Sequence, residues 1–415
     1  MTVSDMTVSD MTVTDTLSNG IRVVARTARS NVSYIGVLIN AGSRDDGPDT
    51  PGLAHFVEHT IFKGTESKSS RTVSSRMESI GGELNAYTTK EETLIYTNAQ
   101  AGYAARALEL LSDLVANATF PKNEIDLERN VIIEEILSYR DNPSEAVFDE
   151  YEELIYSGSD LAHNILGSEE SVSRITGADA RAFIERNYTP DRMVVYIVDP
   201  GKPAANIALA EKYFGRIKPR PSALRRTPPP TLPAPFLEVR HQGNHQANTV
   251  AGIRAFGRRD PRRFPFLLLA NILGGPAMNS RLNLELRERR GLVYTVDCYP
   301  SMMTDCGSLA IYFGSDPDKV AKCLGIIKTQ LGRLAADRIA DRTFHRLREQ
   351  YCGQLLVAGD NNESSAMALA KSLMYYGEVH DSDYSAARVR EVTADSLRDV
   401  AATLAETPLS AITLD

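Results

Sequence analysis

The sequence is poor in cysteine, in long apolar stretches and in surplus positive charge. Four cysteines (Cys298, Cys306, Cys323, Cys352) fall in the second half of 415 residues with no CxxC pair. That argues against a disulfide framework or a thiolate zinc finger and fits a reducing compartment. No apolar run approaches the ~18 residues of a membrane span, so no membrane partner is expected. Acids outnumber bases 54 to 46, a net charge of -8, and that field disfavours nucleic acid as a partner. The N-terminus has no basic region, apolar core or arginine-rich amphipathic stretch. No signal or transit peptide is evident, and a cytoplasmic location is expected.

What remains is the composition of a globular protein, 42% apolar and 24% charged. At about 150 residues per domain, the length predicts two to three domains. The chain opens on a repeated theme, Met1-Thr-Val-Ser-Asp5, Met6-Thr-Val-Ser-Asp10 and Met11-Thr-Val-Thr-Asp15, set aside as a repetitive tail over 1–15. From Thr16 strands and helices alternate. Asn19-Gly20 marks a turn, Ile21–Arg26 and Tyr34–Ala41 read as strands, and Gly52–Phe62 reads as a helix. Strands at Glu83–Thr88 and Thr93–Ala99 precede amphipathic helices at Gly102–Asn117 and Asn123–Tyr139.

Seven of the chain's 20 prolines lie between Pro219 and Pro235, which predicts an extended linker over 219–236. Beyond it the order of elements recurs: a strand at Asn248–Ala255, a helix at Pro261–Leu273, a hairpin around Val293–Tyr299 and Ser308–Gly314, and a helix at Asp318–Leu334. Two related α+β halves are therefore expected, a first domain over 16–218 and a second over 237–415. The first helix of the first half carries two histidines and a glutamate, whereas its counterpart carries Phe264, Phe266, Leu267, Leu268, Leu269 and Ala270. One half is expected to do chemistry and the other to pack.

The chemistry centres on His55-Phe56-Val57-Glu58-His59. On a helix, residues four apart share a face, so His55 and His59 can converge on one ion while Glu58 borders the site. Catalytic zinc takes three protein ligands and keeps an open position, so a third must come from elsewhere. The helix at Asn123–Tyr139 offers Glu124, Glu128, Glu134 and Glu135. Glu128 and Glu135 lie on one stripe with Val131 and Ile132, read as core-directed, and a metal or imidazole partner would offset the cost of burying such carboxylates. Glu134 is read as solvated, and the pair His241/His245 as surface.

The motif within Ala41-Gly-Ser-Arg44 and Gly52-Leu-Ala-His-Phe-Val-Glu-His59-Thr-Ile-Phe-Lys-Gly-Thr65 resembles the pitrilysin (inverzincin) family of zinc peptidases, most of all the branch of the mitochondrial processing peptidase β-subunit and its bacterial relatives. The resemblance covers nearly everything after Thr16. It implies two homologous α/β-sandwich domains, each a mixed and mainly antiparallel sheet with helices packed on it. It implies one Zn2+ per chain held by His55, His59 and Glu135, with Glu58 as general base and Glu128 supporting the site. Softer matches imply substrate binding by strand addition along Asn85, Ala86 and Tyr87, and oxyanion stabilisation by Arg287 and Tyr294. Gly274-Gly275-Pro276 to Leu282 is similar to the family's glycine-rich loop. In two-chain members the Arg/Tyr pair faces the partner's zinc across a closed chamber. A homodimeric endopeptidase acting on peptides or unfolded polypeptide, each site completed in trans, is therefore expected. The alternatives are a non-catalytic scaffold subunit of the same fold, or the active half of a heterodimeric processing peptidase.

Overall fold

A computed structural model describes residues 12–415, apart from 29, 223, 232 and 233. Most of the repeated tail, Met1 to Met11, lies outside the described residues. The chain divides into two units. The first comprises residues up to Ile136, Ile165–Arg226 and Gly359–Asp381; the second comprises Leu137–Asn164, Thr227–Ala358 and Ser382–Asp415. The passage from one to the other at Arg226 falls inside the proline-rich stretch.

The first unit holds strands β1 (Thr12–Thr16), β2 (Arg22–Thr27), β3 (Val32–Ile39), β4 (Glu83–Thr88), β5 (Thr93–Gln100) and β6 (Met193–Asp199). They form one sheet in the order β1-β2-β6-β3-β5-β4, antiparallel throughout except for β2 with β6. β1 is the last copy of the repeated theme. Its β-branched Thr-Val-Thr core suits a pleated edge, and it pairs from Thr12 opposite Arg26 to Thr16 opposite Arg22.

Strand side chains alternate between faces, and here both faces are buried. Val23, Ala25, Ile35, Val37, Val195 and Ile197 join Phe56, Leu108 and Leu111 in one core. Val24, Leu38, Val194, Tyr196 and Val198 join Ala366, Leu369 and Leu373 in another. Gly36 is required where it stands, since a Cβ there would lie 2.5 Å from the Tyr196 ring.

The second unit holds β7 (Leu237–Arg240), β8 (Ala247–Ala255), β9 (Val293–Met302), β10 (Gly307–Ser315) and β11 (Ser410–Leu414). Their order is β7-β11-β8-β10-β9, antiparallel except for β7 with β11. This is the order of the first sheet without its β1. In each sheet the first repeated strand runs parallel to the last one in sequence, and the other three follow antiparallel in the same order. The expected internal repeat is thus present as topology, and the fold is α+β with two mixed, mainly antiparallel sheets.

A helix covers the second face of each sheet, and its origin differs from a division into contiguous halves. Helix Pro143–Ile155 lies in the chain between β5 and β6 of the first sheet, yet its Ala146, Val147 and Tyr151 pack with Val250, Tyr312 and Ile412 of the second. Helix Asn362–Tyr376 follows the second hairpin, yet it covers the first sheet. No helix among the described residues is long and apolar enough to cross a membrane.

Candidate metal centre

The helix that carries the histidines, Leu53–Thr60, is held by its packing and by its start. Leu53, Ala54, Phe56 and Val57 are buried in the first core, which leaves His55, Glu58 and His59 to the adjoining stripe. The helix begins at Gly52 with φ 90°, where a Cβ would meet the Leu166 carbonyl oxygen at 2.6 Å. No side chain at Gly52 can cap the helix. Asp46, six residues upstream, does so instead: its carboxylate accepts from the Gly52 and Ala54 N–H groups, both at 2.8 Å. A carboxylate at a helix N-terminus also suits the helix dipole.

Helix Lys122–Arg140 supplies the carboxylates and is anchored by buried Ile125 and Ile132. Val131 is 52% exposed, which corrects its reading as core-directed: the stripe between Glu128 and Glu135 turns inward at Ile132 alone. Glu134 is exposed, as expected. Glu135 Oε2 lies 3.3 Å from His59 Nε2 and 3.8 Å from His55 Nε2. One ligand atom from each of these three residues lies within 4.8 Å of the others, the single such group among the described residues. The two imidazoles stand edge to face with centroids 4.6 Å apart.

Protonation follows from the surroundings. Burial, then the neighbouring His59, pushes the His55 pKa down to about 3, so this imidazole stays neutral and keeps a lone pair. Glu128 Oε1 accepts a hydrogen bond from His59 Nδ1 at 3.0 Å, and Lys63 Nζ lies 2.5 Å from its Oε2. Burial pushes the Glu128 carboxyl up, but Lys63 and His59 outweigh it and hold the group below the usual carboxylate range. An ionised Glu128 can only accept, so the His59 proton sits on Nδ1 and its Nε2 is free to ligate. Burial pushes Glu58 above the usual range against the pull of Thr88 and His59, and the charge of Glu135 adds to the push. Two neutral imidazole nitrogens and one carboxylate oxygen, one imidazole oriented by a second carboxylate, fit the donor set of a catalytic zinc site.

Asn85, Ala86 and Tyr87 lie on β4, the edge strand of the first sheet, which among the described residues pairs only with β5. Ala86 packs on the core shared with the metal helix. Tyr87 points to the opposite face, its ring 5.3 Å from Lys371 Nζ. Arg287 and Tyr294 belong to the second unit and are exposed there, with the Tyr294 hydroxyl donating to Asp316 at 3.2 Å. Sequence reasoning missed Asp46 and Lys63. Lys63 was within reach of it, four residues past His59 and thus one turn along the same face. Asp46 caps from a loop of irregular length and gave no signal.

The family profile described as Insulinase (Peptidase family M16) matches residues 22–169, and that of the Peptidase M16 inactive domain matches residues 174–351. An uncharacterized zinc protease of Streptomyces coelicolor is 31% identical over 396 residues, 93% of this chain and 85% of the relative. One from Bacillus subtilis is 33% identical over 371 residues, 88% of each chain. A probable mitochondrial-processing peptidase subunit beta of Arabidopsis thaliana is 27% identical, covering 93% of this chain and 75% of the relative. The solved structure of a protease from Helicobacter pylori has the same fold, with a TM-score of 0.88 at 19% identity over 98% of this chain and 100% of that one.

Proposed function

The chain belongs to the insulinase family of zinc peptidases, peptidase family M16, and from that premise we propose that it is a zinc-dependent metallo-endopeptidase cutting peptides or unfolded polypeptide segments. The observation that carries the reading is the convergence of His55 Nε2, His59 Nε2 and Glu135 Oε2 on one point. The match of the second half to a domain described as inactive supports placing the chemistry in the first.

His55, His59 and Glu135 hold the ion. When bound, zinc supplies Lewis-acid polarisation of a carbonyl and lowers the pKa of a water toward ~7. Glu58 takes the proton from the attacking water at its carboxylate and returns it to the departing amine. Its raised pKa suits both halves of that task, because a base poised nearer neutrality gives the proton back more readily. Glu128, fixed by Lys63, keeps the His59 ring in the ligating tautomer. Peptide adds to the outer edge of β4 as an extra strand along Asn85, Ala86 and Tyr87, so its backbone is recognised whatever its side chains. Arg287 and Tyr294 stabilise the developing oxyanion of a second copy's site, which makes the working form a homodimer. A cytoplasmic location accords with this reading.

The test is zinc content and hydrolysis measured on one preparation. One zinc per chain is expected, with cleavage of a quenched peptide lost on chelation and restored by zinc. A chain that binds no zinc and cuts nothing would instead be the scaffold subunit.

A further inference from the structure

Within the proline-rich linker, Arg226 does not behave as linker. Leu224, Arg225 and Thr227 are exposed, whereas the Arg226 side chain is only 6% exposed. A guanidinium is taken from water at a large cost unless every donor is matched, and here the matches come from two separate connections, the loop after β3 and the turn between β4 and β5. Nη1 donates to Asn40 Oδ1 at 2.9 Å, at the end of β3. Nη2 donates to Asp45 Oδ2 at 2.6 Å and to the Glu91 carbonyl at 2.9 Å.

Asp45 precedes Asp46, the cap of the metal helix, and Glu91 sits in the turn between β4 and β5. The Ser43 and Arg44 N–H groups donate to the Thr89 and Lys90 carbonyls at 3.0 and 2.8 Å, and Arg44 Nη1 reaches Glu91 Oε1 at 2.7 Å. Loop and turn are thus joined side by side, and Arg226 lies across both. Arg192 also meets Asp45, at 3.3 Å, and its Nε donates to the Asn40 carbonyl at 2.8 Å.

We propose that Arg226 is a positioning residue: one guanidinium, delivered by the linker, fixes both the cap of the metal helix and the root of the strand that receives the peptide. Its consequence for catalysis rests on the peptidase reading above. Arginine is needed because a planar fork can meet acceptors in several directions at once, whereas a lysine head is a single point.

The experiment compares the full chain with Arg226→Met, Arg226→Lys and the exposed neighbour Arg225→Met. Two quantities are measured: amide hydrogen exchange, and the rate of zinc release to an excess of chelator. In Arg226→Met, exchange at Ser43, Arg44, Gly52 and Ala54 is expected to quicken by about tenfold or more, and zinc release likewise, with the β2 and β6 amides unchanged. Arg226→Lys should fall between, and Arg225→Met should match the parent. Unchanged rates at those four amides in a folded Arg226→Met chain would overturn the proposal. So would uniform acceleration across the sheet, which marks a merely structural role. If Arg226→Met does not fold, the same two patterns are read from Arg226→Lys. If the parent chain takes up no zinc, the peptidase reading fails, and the exchange pattern alone decides the role of Arg226.

Discussion

At the scale of single residues, the site works by dividing labour among three carboxylates and two imidazoles in neighbouring positions. Glu58 and Glu128 flank the same histidine, yet burial raises one and Lys63 lowers the other. The first is suited to move a proton and the second to stay charged. Glu128→Gln removes that charge while keeping the shape. Zinc affinity is expected to fall about 10- to 100-fold, the usual effect of losing an outer partner of a ligating histidine, as read by competition with a chromophoric chelator. Lys63→Met should shift affinity in the same direction by less, since His59 retains its acceptor.

At the scale of elements, the metal helix is held at both ends. Its start is fixed by Gly52 and Asp46. The segment after it bridges Gly64 to Ser69 and Thr65 to Ala118. There Lys68 clasps Glu109 at 2.7 Å and Asp113 at 2.9 Å, both on helix Ala104–Asn117. Burial pushes these two carboxyls up, but Lys68, joined by Arg76 at Glu109 and by Thr65, Asn117 and Ser67 at Asp113, outweighs it, and both titrate below their ordinary values of 4.5 and 3.8. A depressed folded pKa stabilises above the ordinary value, and the benefit is lost as pH falls through the folded value. Lys68→Met is therefore expected to cost about 1–3 kcal/mol at pH 7, with the gap from the parent closing below about pH 4. Urea denaturation at several pH values measures this.

The elements around the site were legible because their patterns are local. β4 and β5 came from alternation between a glycine turn and an amphipathic helix, and HxxEH needed only helical periodicity. β1 was hidden because a repeat looks like a tail; its role depends on the exposed edge of β2, which no local pattern reveals. The capping by Asp46 and the burial of Arg226 were hidden for the same reason. Each is a contact between loops, and proline content predicts an extended backbone without saying which single side chain turns inward.

At the scale of the whole molecule, the repeat is complete in topology and unequal in chemistry. An amphipathic helix states that one face must be buried but not which sheet will bury it. The exchange of Pro143–Ile155 and Asn362–Tyr376 between the two sheets was therefore invisible in the sequence. The assignment of Arg287 and Tyr294 to a partner's site belongs to this scale. Chains carrying Arg287→Ala and chains carrying His55→Ala should each be inactive alone and recover activity when mixed into heterodimers. Mixed dimers that stay inactive would show that the pair does not act in trans.

The most direct measurement takes the parent chain and Glu58→Gln, both with zinc content determined, and follows cleavage of a quenched peptide. The account predicts one zinc per chain in each and cleavage at least about 100-fold slower in Glu58→Gln, the loss expected when a general base is removed. Cleavage by Glu58→Gln at the parental rate, with its zinc in place, would contradict it.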